Sequence, residues 1–136
     1  MLNAMKLTMA FFDSKDLRYR ASEKDNVIET SFSLDNKGSL RIIISFDDDE
    51  TVGIQSYDFC AFPEEKKPLM YKTCSLVNRE YRWVKFYVDE KDNTITLEDD
   101  AVVQLDSCAE EVFELVLRMA SIAEKAYPTF MKALWS

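Results

Sequence analysis

Any chemistry this chain performs would have to come from a short list of residue types. Histidine is absent, and glycine occurs only at Gly38 and Gly53. The first absence removes the commonest general base, the serine and cysteine triads and every histidine-containing zinc site. The second leaves too little glycine for a dinucleotide fingerprint or a phosphate-cradling loop. Carboxylates remain, and the runs Asp47-Asp48-Asp49-Glu50 and Glu98-Asp99-Asp100 are candidates for a hard cation. Neither has the alternating D-x-D-x-D-G pattern with a closing bidentate glutamate that a calcium loop needs. Both read as solvated turns. Glycoside hydrolysis needs two carboxyls converging about 5 to 9 Å apart in a cleft, whereas these acids fall in turns and on helix surfaces. Cys108 sits at a helix start, where the N-terminal partial charge favours thiolate, and is the one thiol with a case for reactivity. With no histidine to activate it, a buried structural role is expected. Cys60, Cys74 and Cys108 are odd in number and too far apart for a C-x-x-C pair, so they are expected as reduced thiols of a cytoplasmic protein. The expectation is a non-enzymatic chain with no metal and no cofactor.

Recognition chemistry is better represented. Met1, Met5 and Met9 stand at i, i+4 and i+8 with Phe12 near the same face. Such a flexible, polarisable line can fill a core or serve an adaptable partner groove. Trp83 and Tyr87 alternate with Val84 and Phe86, which places them on the opposite face of a strand, exposed if helices cover only one side of the sheet. Met5, Met9, Phe12, Trp83 and Tyr87 are therefore the candidate partner-binding residues.

Positioning these side chains falls to a regular series of elements. A first helix is expected from Met1 to about Asp13, and a short extended piece from Leu17 to Ala21. Ile28, Thr30, Phe32 and Leu34 alternate with polar neighbours as a strand, and Asp35-Asn36-Lys37-Gly38 forms a hairpin loop. Leu40, Ile42, Ile44 and Phe46 return as a second strand, and a third runs from Thr51 to about Tyr57. Pro68 belongs in a first helical turn, so a helix is expected from about Glu65–Lys67 to about Arg79, with Met70, Cys74, Val77 and Tyr81 along one face. Strands through Val84, Phe86 and Val88 and through Ile95 and Leu97 close a hairpin around Asp92-Asn93. Ser107-Cys108-Ala109-Glu110 has the pattern of a capping box. The helix after it carries one narrow polar stripe, Glu111, Glu114, Arg118, Ser121 and Lys125, so it needs apolar cover on more than one side, from within the chain or from a second subunit. Pro128 is expected to break it near Tyr127, after which a short turn tucks Trp135 back.

With 136 residues the chain fits one domain able to build a core without staples. The 17 basic and 25 acidic side chains leave a charge of −8, and the cations are scattered. Nucleic acid and anionic membrane are poor partners for such a surface. The apolar run Leu7 to Phe12 is too short for a signal peptide, and nothing approaches the ~20 apolar residues of a membrane span.

Val77-Asn78-Arg79-Glu80-Tyr81-Arg82-Trp83-Val84-Lys85-Phe86, followed by Val88-Asp89, resembles the centre of the YbjN-like family of bacterial sensory transduction regulators. Ala126-Tyr127-Pro128-Thr129-Phe130-Met131-Lys132-Ala133-Leu134-Trp135 is similar to that family's closing segment. Lys85 stands where relatives often carry glycine. The resemblance implies an α+β fold like that of type III secretion chaperones, with helices on an antiparallel sheet of about five strands in the order α-β-β-β-α-β-β-α. It marks Asn78, Tyr81, Phe86, Tyr127, Pro128 and Trp135 as structural signature residues. It also implies a regulator or chaperone-like module that works by protein contact, often as a homodimer. The alternative is a small-molecule sensor with a pocket between helices and sheet, lined by the methionines and Cys74.

Overall fold

The structure, a computed structural model, describes residues 1–136. Its elements follow the chain as α1 (Asn3–Ser14), β1 (Arg20–Ser22), β2 (Val27–Leu34), β3 (Gly38–Phe46), β4 (Thr51–Ser56), α2 (Lys67–Glu80), β5 (Lys85–Asp89), β6 (Thr94–Val102) and α3 (Cys108–Leu134). The six strands form one antiparallel sheet in the order β1-β2-β3-β4-β6-β5. This is the α+β architecture expected. The strand beyond the expected five is β1, where the Leu17–Ala21 piece pairs with β2 through Arg20 and Glu29.

Alternation in the strands puts Ile28, Leu40, Ile42, Ile44, Val52, Ile54, Phe86, Ile95 and Leu97 on one face, all buried under the helices. Gly38 closes the β2–β3 hairpin with φ +97°, a conformation that side-chain-bearing residues resist. Gly53 serves a different need. It pairs with Asp100, whose Oδ1 would lie 3.0 Å from a Cβ added there.

The first helix has no cap of its own. Asp49 in the β3–β4 turn accepts a hydrogen bond from the Ala4 N–H at 2.9 Å, and Asn26 accepts one from Leu2 at 3.0 Å. The acidic run thus satisfies orphan donors and complements the positive end of α1. The α2 helix begins with Pro68 in its first turn, preceded by a 3-10 turn over Glu64–Lys66.

Three readings at the C-terminal end need correction. Helix α3 continues through Pro128 to Leu134. Val112, Val116, Met119, Ala123, Ala126 and Phe130 repeat at alternating spacings of four and three, all buried, and Pro128 lies on the exposed side. Proline there removes one N–H from the exposed side and leaves the buried stripe of α3 intact, so the packing of that stripe carries the helix past it. Trp135 is not tucked back but is 81% exposed at the helix end. The helix start is not a capping box through Glu110. The Ser107 hydroxyl donates to Glu111 at 2.9 Å, and Glu111 also accepts from the Gln104 N–H at 3.1 Å.

With Leu117 left exposed, most of the broad apolar surface of α3 finds cover inside the chain. Its first half packs on α1, with Phe113 edge-on to Phe11 and Phe12 at 5.5 and 6.1 Å, and its second half packs on α2. No helix is long and apolar enough to cross a membrane.

Candidate functional site

β5 is an edge strand, and edges expose unpaired backbone groups that other chains can join. Here the signature residues close it. The Asn78 carboxamide on α2 lies against the Phe86 peptide: Oδ1 accepts from the Phe86 N–H at 2.7 Å, and Nδ2 donates to the Phe86 C=O at 2.9 Å. The side chain thus supplies the two bonds a neighbouring strand would make. The Lys85 ammonium donates to the carbonyls of Asn78 and Tyr81, both at 3.0 Å, and satisfies the end of α2. Inside the edge, Phe86 stacks on Phe130 at 5.4 Å, and Phe59 meets Phe86, Phe130 and Tyr127 edge-on at 5.5 to 5.6 Å. Asn78, Phe86 and Tyr127 therefore belong to one closure. Tyr81 half-buries beside it, whereas Pro128 and Trp135 stay at the surface.

The candidate partner-binding residues are dispersed. Met5 and Phe12 are fully buried and build the core, so in this fold they cannot touch a partner; Met9 is half-buried against the same core. Tyr87 is exposed on the uncovered sheet face. Trp83 is not there with it. A φ of +74° at Trp83 takes the chain out of the pleat before β5 begins, and the indole lies on the helix side, with the Arg118 guanidinium 5.4 Å from its ring centroid. Period-two alternation cannot reveal a residue whose backbone has left the strand.

At Trp83 the molecule has its largest concavity, a groove of about 450 Å³. Ala101 and Val103 line one side, Leu115 the other, and Trp83 one end, with Glu110 and Glu114 on the rim. Arg118 pairs with Glu114 at 2.8 Å. Sequence reasoning missed this place because it read Glu98-Asp99-Asp100 as a turn. Those residues instead lie inside β6, which runs to Val102. Asp99 pairs with Ile54 and shares its core-facing side; it is 8% exposed, and its Oδ2 has no hydrogen-bond partner. Burial, with Asp100 beside it, pushes its carboxyl up to about 6. The signal available in the sequence was the alternation Ile95, Leu97, Ala101, Val103, which continues past the charges.

The thiols show no activation. All three are free and buried. Burial raises Cys60 to about 11 and Cys74 to about 12, and it also raises Cys108, whose thiol donates to the Ala4 carbonyl at 3.8 Å. No group of three or more Cys, Asp or Glu side chains is gathered to hold a metal ion. The pocket expected by the sensor reading has no counterpart, since Met5, Met9 and Cys74 line none of the concavities.

A family model described as "YbjN: Putative bacterial sensory transduction regulator" matches residues 9–131. No curated protein matches the sequence. Among solved structures, the chain is similar to YbjN from E. coli, described as a putative transcription regulator, with 13% identity, TM-score 0.59 and 90% of each chain covered. It is also similar to a chain of the ExsC–ExsE complex, with 13% identity, TM-score 0.53 and coverage of 92% of this chain and 96% of that one. A chain of the HopA1–SchA chaperone–effector complex matches with 13% identity, TM-score 0.52 and coverage of 90% and 95%. At such identities these likenesses establish the type III secretion chaperone-like fold.

Proposed function

Because the chain belongs to the YbjN family, described as "Putative bacterial sensory transduction regulator", and folds like secretion chaperones, we propose that it is a non-enzymatic module that acts by binding a segment of another protein. The observation that carries this reading is the groove beside Trp83, the largest concavity, with an apolar lining and no cluster of reactive groups. Exposed aromatic surface of this kind is where interface energy concentrates. Buried, unactivated thiols fit a reducing cytoplasm, and the charge of −8 disfavours nucleic acid. For the homodimer implied by the resemblance, α3 offers little surface, since α1 and α2 cover most of its apolar faces; light scattering across a concentration series tests it directly.

The binding reading is tested by panning a random peptide library against the immobilised protein. Enrichment of a shared pattern, whose synthetic peptides bind the protein in solution and fail to bind Trp83→Ala, is the expected result. A library that yields no pattern beyond that found on an unrelated acidic domain would remove the reading.

A further inference from the structure

The edge strand β5 is shorter than its neighbour β6, and the mismatch leaves backbone unpaired. β5 pairs with β6 from Lys85–Glu98 to Asp89–Thr94, while β4 pairs with β6 from Ser56–Leu97 to Thr51–Val102. From Asp99 onward β6 therefore has a neighbour on one side only. The direction of each peptide follows from the alternation of an antiparallel ladder. The Ile95 N–H donates to the Cys60 C=O at 3.0 Å, and the Ile95 C=O accepts from Phe59 at 2.9 Å, so odd-numbered residues of β6 bond on the β4 side. Even-numbered residues face β5, as the outward bonding of Phe86 to Asn78 independently requires. Continuing the count, the N–H and C=O of Asp100 and Val102 point toward the side where β5 has already ended. Trp83, which would stand opposite Asp100, has turned away with positive φ, and Val84 bonds instead to Arg82. Both Asp100 and Val102 are exposed, Val102 at 76%.

We propose that this gap is a strand-addition site: a partner segment lies in line with β5, antiparallel to β6, and bonds to the free peptide groups of Asp100 and Val102. The inference rests on the binding function above and specifies its mode. Side chains of an added strand alternate between two environments. Those on the helix side enter the groove over Ala101, Val103 and Leu115 and against Trp83. Those on the other side lie beside Asp100 and Glu98. The rim on both sides is acidic, with Glu110 and Glu114 on α3; of the cations beside it, Arg118 is already paired with Glu114, and the Lys85 ammonium, opposite Glu98, is already held by the carbonyls of Asn78 and Tyr81. Buried on the helix side, one pleat inward from Ala101, Asp99 has an unpartnered oxygen. The occupant that fits is an extended segment of another protein that alternates apolar with lysine or arginine residues.

A hexapeptide alternating lysine and valine, blocked at both ends, is the probe. It is titrated into the 15N-labelled protein. The expected result is shifts confined to Asp100, Ala101, Val102 and the Trp83 indole, with slowed hydrogen exchange at the Asp100 and Val102 amides. The same peptide with glutamate for lysine should bind at least about tenfold more weakly. Val102→Pro removes an outward N–H without touching the β4 ladder, at an exposed edge position where proline is tolerated. It should weaken the lysine–valine peptide about tenfold, the equivalent of one hydrogen bond, with the melting temperature held within a few degrees. Trp83→Ala serves as a second variant should Val102→Pro unfold. Binding that resists both variants, or that leaves the two amides exchanging as before, overturns the strand-addition mode while leaving the module a segment binder. Shifts that grow with protein concentration alone would assign the edge to a second copy of this chain and overturn the proposal. Failure of both the hexapeptides and the library peptides would remove the proposal and the function together.

Discussion

Two stretches of the same rim teach the most about this molecule. At Phe86 the outward peptide is met by the Asn78 carboxamide and backed by a packed aromatic cluster; at Asp100 and Val102, a few residues away across the end of β5, outward peptides meet only water beside a groove. One edge is protected as edges in stable proteins usually are, and the other is left accessible. The difference is made by the positive φ at Trp83, which holds back the start of β5 to Lys85, and by the reach of α2, which positions Asn78 over β5 but goes no further. The contrast predicts that substitutions at the closed stretch act on stability, whereas those at the open stretch act on binding.

The largest effect is expected from Phe130→Ala. Phe130 is fully buried and contacts both Phe86 and Phe59, so its removal leaves a cavity behind the closed edge and should cost about 3–5 kcal/mol. Urea unfolding reads this as a lower midpoint at unchanged slope. A loss below about 1 kcal/mol would mean that the aromatic cluster does not hold the edge.

Asn78→Ala comes next, at about 1–3 kcal/mol, because it strips both bonds from Phe86 at once. It also turns the closed stretch into an open one. Concentration-dependent association measured by light scattering should therefore appear in this variant and not in the wild type. Stability lost without association would show that the amide serves packing alone.

Much of the closed stretch was legible before the structure, and little of the open one was. The helix-to-hairpin run from Leu69 to Leu97 follows from a change of period from 3.6 to two, and Asn78, Phe86 and Tyr127 are marked by resemblance. What the pattern could not give was their common purpose, because an amide bonding to a peptide eight residues away leaves no periodic trace. Pro128 misled for a physical reason: helix breaking was weighed at the proline, while the burial of Phe130 one turn further on keeps the helix going. Glu98-Asp99-Asp100 misled similarly. Three acids look like a turn, yet β4 pairing extends the strand through them, at the cost of burying Asp99. The methionine line was read as core or groove, and the full burial of Met5 settles it as core in this fold.

Asp99 belongs to the open stretch but should register in stability. A carboxyl raised from the usual range near 4 to about 6 holds its proton more tightly when folded. The folded state therefore binds more protons between those values, and stability falls as pH rises from about 4 through about 6. Asp99→Asn removes the charge and should gain about 1–2 kcal/mol at pH 7.5, less than the full shift implies because the amide must also find partners. Below pH 4 the advantage should vanish. Parallel stability profiles for variant and wild type across pH 4 to 7 would mean that Asp99 is hydrated and ordinary.

The smallest stability effect, and the sharpest contrast, is expected at Trp83. More than half of its surface is exposed, and its visible partner is Arg118, itself held by Glu114. Trp83→Ala should change stability by less than about 1 kcal/mol, since exposed cation–π contacts contribute no more than that. The residue is nevertheless large, aromatic and placed at the end of the β6 stretch whose outward peptides are free. If it served the fold, the variant would melt early and bind normally. If it serves recognition, the variant melts with the wild type and fails to bind. Phe130 should behave in the opposite way, losing stability while any folded fraction still binds. Thermal melts and peptide titrations on the same two proteins therefore test the division between closed and open edge directly, because a single general weakening of the domain would move both readouts together in both variants.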